Sequence, residues 1–212
     1  LMEAIWTRFL PLMTRLRETL RDGTIGEVKL VNINFGGIAP DYFWGRVTDP
    51  ALAGGVTLDM GIYPVSMLCH LLGEIPQVRA ASCRFSDTGV DEIACYQLAF
   101  PSGCLATVNT SFNLLMGQQA LLFGDKGYID YPDFQRGNCF TVKFREGREI
   151  TSELSISAEH AENGFVYQVR EAARCVREGR LESEVIPVAE TVAIMDVLDS
   201  IRSQFPLRYD FE

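Results

Sequence analysis

The stretch from Gln77 to Leu154 constrains the fold more than any other part of the chain. It breaks into short runs rich in Val, Ile, Thr and aromatics: QVRAASCRF, EIACYQLAF, CLATVNTSF, QQALLFG, GYIDY, FTVKFR and REITSEL. Between them lie SDTGVD, PSG, GDKG and EGR, whose Gly, Pro, Asp and Ser residues reverse a chain within a few positions. Connections that short join antiparallel neighbours, because a parallel pair needs a crossover of about a dozen residues or more. A mainly antiparallel sheet is therefore expected.

The flanks read differently. In TRFLPLMTRLRETLRDGTIG, Leu12, Met13, Leu16 and Leu20 recur at helical spacing, with Pro11 in the first turn and Gly23 at the stop. EVKLVNINFG alternates as a strand with apolar Val28, Leu30, Ile33 and Phe35, and MEAIW reads as a short buried strand. GIAPDYFWGRVTDPALAGG is rich in Gly and Pro and reads as a loop, whose aromatics and arginine make it a candidate functional loop. Beyond the sheet, EHAENGFVYQVREAARCVREG lines up Phe165, Val169, Ala172, Ala173 and Val176. VAETVAIMDVLDSIRSQF lines up Val192, Met195, Leu198 and Ile201. Helices, then strands, then helices, without βαβ alternation, imply an α+β fold. One large open sheet should carry helices on one face, its other face solvated or covered by another subunit.

Composition narrows the function classes. With 212 residues and 47% hydrophobic content, one large domain can form a full core. The net charge of −9, with Lys and Arg scattered, disfavours nucleic acid as a partner. No apolar run approaches the ~20 residues that span a bilayer, so no membrane association is expected. No secretory signal is seen. Six cysteines, at 69, 83, 95, 104, 139 and 175, show no C-x-x-C spacing, and His70 and His160 are the only histidines. That pattern suits free buried thiols in a reducing cytoplasm and no metal site. Neither G-x-G-x-x-G nor G-x-x-x-x-G-K-[ST] occurs, so no phosphate-cradling loop is present. A small molecule or a protein is the expected partner.

One segment concentrates chemistry. GGVTLDMGIYP, Gly54 to Pro64, places Asp59 and Tyr63 four residues apart at a helix start. On a helix that spacing stacks the two on one face, with His70 near the same stripe two turns on. Pro64 tolerates helix only in its first turn, so regular helix should begin no earlier than Gly61 and leave Asp59 in the lead-in turn. One reading is structural: Asp59 as a cap, Tyr63 as a packed core phenol, His70 satisfying helix-end carbonyls. The other is catalytic: a phenol serves as proton donor to a carbonyl if a nearby cation lowers its pKa, and the carboxylate orients a substrate hydroxyl.

The segments EAIWTRFLP, LRDGTIGEV, GRVTDPALAGGVTLDMGIYPV and IPVAETVAIMDVLDSIR resemble, in order and spacing, the C-terminal part of the Gfo/Idh/MocA oxidoreductase family. The likeness is to its branch of dimeric dihydrodiol dehydrogenases and NADP-dependent xylose dehydrogenases, and it covers essentially the whole chain. It implies a substrate-binding and dimerisation domain over residues 7–212. Residues 1–6 would be the last strand of a Rossmann domain that holds NADP or NAD outside this chain. It implies Tyr63 as the catalytic tyrosine and Asp59, with Trp6 and Arg8, beside the substrate, a sugar or dihydrodiol. Arg46 and Trp44 would reach toward the cofactor, and two copies would pair through the open sheet. The family's Glu-Lys-Pro motif, whose lysine pairs with the tyrosine, is absent, so this chain alone should be close to inactive. The rival expectation is a stand-alone binding or oligomerisation module that keeps the fold without the chemistry.

Overall fold

A computed structural model describes residues 1–211. A 3-10 helix over Trp6–Phe9 leads into α1 (Pro11–Arg21), which has Pro11 in its first turn and buries Leu12, Met13 and Leu16. There follow β1 (Val28–Ile38), α2 (Asp41–Val47), a 3-10 turn over Pro50–Leu52, α3 (Val56–Asp59) and α4 (Ile62–Leu72). Next come β2 (Gln77–Phe85), β3 (Asp91–Ala99), β4 (Leu105–Ser111), β5 (Asn113–Gly117), β6 (Ala120–Gly124), β7 (Gly127–Tyr131), β8 (Cys139–Glu146) and β9 (Glu149–Ser157). Then α5 (Phe165–Arg177) and α6 (Val188–Arg202) close the chain.

The strands form one nine-stranded sheet in the order β2-β3-β4-β1-β6-β7-β8-β9, with β5 also paired to β1. The β1–β4 pairing is parallel and the other strand pairings are antiparallel, so the α+β architecture with a large, mainly antiparallel sheet holds. The core lies on the face lined by Val31, Ile33 and Phe35 of β1, Val108 of β4, Leu122 of β6, Ile129 of β7 and Val142 of β8. Helices α4 and α6 pack together there, α6 also on β2 and α3 on β3. On the opposite face, polar side chains pair across the central strands: Thr107 donates to Asn32 at 2.6 Å and Asn109 to Asn34 at 3.0 Å.

Several expectations are corrected. Residues 1–5 form no strand and pair with no sheet member; the N-terminal amine instead donates to the Leu181 carbonyl at 2.7 Å. The outer sides of β2 and β9 stay open among the described residues, and the bond to Leu181 instead holds the N-terminus at the connection between α5 and α6. The expected loop at 37–55 contains helix α2 and a 3-10 turn. Val31, not Leu30, shares the buried face with Ile33 and Phe35, because side chains alternate with period two. On α5 the apolar stripe of Phe165, Val169 and Val176 is exposed, while Cys175 turns inward. On α6 the buried face is Ile194, Val197, Leu198 and Ile201, with Val192 and Met195 outside it. All six cysteines are free, but Cys95 is exposed. No single helix among the described residues is long and apolar enough to cross a membrane.

Candidate active site

The Gly54–Pro64 segment bends rather than running as one helix. Helix α3 is a single turn ending at Asp59, and α4 starts at Ile62, with a 43° bend between the two helical stretches. Helix thus begins after Gly61, as the position of Pro64 requires, and Asp59 closes the preceding turn. The reason for Gly61 is close approach: a Cβ there would run into the Thr57 carbonyl oxygen. Gly55 has φ 132°, and a Cβ on it would meet the Asp91 carboxylate.

The sheet grips this bend from below. Asp91 of β3, 1% exposed, accepts a hydrogen bond from the Thr57 amide at 2.8 Å, capping α3 in trans. Tyr96 of the same strand donates to the Gly61 carbonyl at 3.3 Å, and Tyr209 donates to the Gly54 carbonyl at 2.6 Å. Burial pushes the Asp91 carboxyl up, opposed by its bonds to Thr57. Sequence reading missed these three residues. Their contacts span 34, 35 and 155 positions, and nothing local to them marks the pairing.

Asp59, Tyr63, Arg46 and Trp6 come together. The Arg46 guanidinium of α2 donates to Asp59 Oδ1 and lies over the Phe43 ring, 4.4 Å from its centroid. The side chains of this pair are 48% and 23% exposed, so it faces solvent. The Tyr63 ring stands edge-on to Phe35 at 5.9 Å between centroids. Burial raises the Tyr63 phenol pKa, the Asp59 carboxylate adds to the rise, and the neighbouring Trp6 indole N–H and Arg46 pull back. Trp6 packs edge-on against Phe165 at 5.1 Å and lines a cavity of 330 Å³ with Gln135, Arg136, His160 and Asn163.

The other residues singled out lie elsewhere. Trp44 packs against the core and lines a separate cavity of 280 Å³ with Arg84 and Glu92. Arg8 is 2% exposed and its guanidinium is occupied by protein. It donates to Ser66 Oγ at 2.7 Å, Ser66 O at 2.8 Å, Val185 O at 3.2 Å and Glu190 at 2.7 Å. It thus ties α4 to α6 from within. His70 is buried at the far end of α4, beside Arg8 and Arg17. Among the described residues no group of three His, Cys, Asp or Glu side chains is placed to hold a metal ion.

Chemically, the cluster offers one phenol, one carboxylate with Oδ2 left to accept, and one cation at the solvent edge. It lacks a cation close enough to bring the phenol down toward neutral pH.

Comparison with known proteins identifies the fold and the family. The trans-1,2-dihydrobenzene-1,2-diol dehydrogenase of Mus musculus is 32% identical over 205 residues, 95% of this chain and 61% of that protein. The chain therefore spans about three fifths of the length of that relative. Among solved structures, the aldose-aldose oxidoreductase of Caulobacter crescentus superposes with a TM-score of 0.80 at 23% identity, over 94% of this chain and 59% of that one. A 3-ketoreductase of Actinomadura kijaniata, solved with NADP and TDP-benzene, gives 0.81 at 19% identity, over 96% and 62%. These two share the fold. The family model described as the GFO/IDH/MocA C-terminal domain matches residues 13–130, more than half of the chain. With its α+β sheet and its dihydrodiol dehydrogenase relatives, the chain belongs to the GFO/IDH/MocA family as a C-terminal domain of it.

Proposed function

We propose that this chain is the substrate-binding and dimerisation domain of an NAD(P)-dependent oxidoreductase acting on the CH–OH group of a sugar or a dihydrodiol. The observation that carries the reading is the convergence of Tyr63, Asp59, Arg46 and Trp6 where α4 begins. Tyr63 is the general acid/base: its Oη gives a proton to a carbonyl oxygen becoming an alcohol, and takes one in the reverse direction. Asp59 Oδ2 accepts from a substrate hydroxyl while Oδ1 holds Arg46. Trp6 neighbours the phenol and walls a 330 Å³ cavity, whose Gln135, Arg136 and Asn163 supply hydrogen-bonding groups suited to hydroxylated ligands.

The residues present fit only the reacting end of a nicotinamide nucleotide. Gly55 and Gly61 serve close contacts within the chain itself, so they form no phosphate cradle. Arg46, half exposed beside Asp59, is the side chain here best placed to meet the cofactor; Trp44, packed into the core, would contribute from α2 only at its partly exposed edge. A bound nicotinamide supplies the hydride acceptor or donor. In this reading residues 1–6 join the domain to a cofactor-holding part outside these 212 residues, which also supplies the cation that Tyr63 lacks. The exposed stripe of α5 is consistent with further protein covering that side. The helix-free sheet face, with Leu105 exposed, would meet a second copy, and the whole would work in the cytoplasm.

The test is Tyr63→Phe in the longer protein. Turnover should fall by roughly 10²–10⁴-fold while NADPH binding persists. Unchanged turnover overturns the assignment.

A further inference from the structure

A cavity of 450 Å³ opens where the C-terminal end of α4 meets α1 and α5, seven residues from Tyr63, or about 10 Å along the helix. In a chain of net charge −9, its wall gathers four guanidinium groups: Arg8, Arg17, Arg170 and Arg174. Two are neutralised. Arg8 is paired with Glu190 at 2.7 Å, and Arg174 with Glu171 at 2.9 Å and Glu178 at 2.7 Å. Two are not. Among the described residues Arg17 and Arg170 have no carboxylate within ion-pair distance, and Arg170 lies 5.9 Å over the Tyr167 ring.

The cavity is also rich in donors and poor in acceptors. Glu171, the one carboxylate in its wall, is consumed by Arg174 and by Ser183, which donates to it at 2.6 Å. The Val185 carbonyl is taken by Arg8. The Thr14 hydroxyl, the imidazole of His70 and the Tyr167 hydroxyl, which accepts from the Ala161 amide at 2.8 Å, complete the polar lining. Two groups in the wall register the surplus of positive charge. His70 is held down at about 3 by burial and then by Arg8, Arg17 and Arg21. The Arg17 pKa is lowered by burial, then by Arg21 and Arg8, with Glu190 opposing.

We infer that this cavity is a binding site for a phosphoryl dianion, free or carried by a small molecule, with Arg17 and Arg170 as its two binding cations. A phosphate monoester carries about −1.5 to −2 charges at neutral pH, matching two unneutralised guanidinium groups better than a single carboxylate does. Planar guanidinium forks suit its oxygens. The volume exceeds that of phosphate alone, and the Tyr167 ring gives an apolar wall for an organic remainder. This site stands apart from the Tyr63 cluster and does not depend on the function proposed for it.

The test is calorimetric titration of the 212-residue chain with inorganic phosphate and with phenyl phosphate, against chloride at equal ionic strength. Saturable binding of either phosphate, not reproduced by chloride, is expected; the two arms tell a free anion from an ester. Arg17→Gln and Arg170→Gln should each weaken binding by about tenfold or more. Arg84→Gln, whose arginine sits on β2 paired with Glu92, should leave it unchanged. Arg17→Gln should also melt no earlier than the parent without ligand, since it removes a repelled charge, which separates lost binding from lost folding. Binding no stronger than chloride's, or binding that survives both substitutions, overturns the proposal.

Discussion

The two ends of α4 treat a titratable ring in opposite ways. At the N-terminal end the Tyr63 phenol is pushed up; at the C-terminal end the His70 imidazole is pushed down. Burial is the first cause in both, and the sign differs because burial penalises phenolate in one case and imidazolium in the other. The neighbours reinforce each effect: a carboxylate beside the phenol, arginines beside the imidazole. One helix thus holds two polar rings that are neutral near neutral pH, and there each would change state only with a new partner of the appropriate charge. The first end opens on solvent through Arg46 and Asp59, while the second borders the arginine-lined cavity.

The comparison breaks most severely if the link between the ends is cut. Arg8→Met leaves Glu190 and the Ser66 carbonyl without their buried cation and should cost about 3 kcal/mol in chemical denaturation. A loss below about 1 kcal/mol would mean that Arg8 does not hold α4 to α6.

A smaller effect sharpens the contrast at the C-terminal end. The His70 pKa is about 3 when folded, against an ordinary value of 6.5, so between these values the unfolded chain binds a proton that the folded one does not. The stability linked to His70 is complete above about pH 6.5 and declines by roughly 1.4 kcal/mol per unit as pH falls toward 3. Glu171, held at about 2, adds its own loss below about pH 4.5, so pH 6.5 to 5 is the window to use. There the parent should lose stability more steeply than His70→Gln by about that slope, and parallel curves would mean a charged imidazole in the folded protein.

The smallest effect is at the N-terminal end. Asp59→Asn removes the second cause of the raised Tyr63 pKa, so the phenol should titrate lower, though still above its ordinary value because burial remains. Ultraviolet titration of tyrosinate against Tyr63→Phe reads this directly. A phenol that titrates higher in Asp59→Asn would show that the carboxylate stabilises the phenolate.

Much of the fold was legible because its signals are local. The runs between Gln77 and Leu154 became strands where turn residues bounded them, and Pro11 marked the start of α1. Asn113–Gly117 escaped notice because five residues with exposed Leu115 resemble a loop, and their strand character comes from pairing with β1. The loop reading of 37–55 failed because Gly45 is tolerated inside α2, a helix fixed by Trp44 and Arg46 contacts rather than by propensity. At the site, glycines, a carboxylate and a tyrosine pointed to Gly54–Pro64, and Arg46 does reach it. Arg8 was expected beside the substrate through the family resemblance of its segment, yet its partners are 58 to 182 positions away and enclose it. Asp91 and Tyr96 were invisible for the same reason: their role is defined by a distant backbone.

The parallel seam between β1 and β4, where Leu30 lies beside Leu105, has a kinetic meaning. Helices α2 to α4 and strands β2 and β3 all belong to the loop which that seam closes. Loop entropy must be overcome before any seam contact is rewarded, and such non-local pairing slows folding. Asp59 and Tyr63 therefore ride on a segment staked at both ends to one pair of neighbouring strands, and opening that seam releases both stakes together.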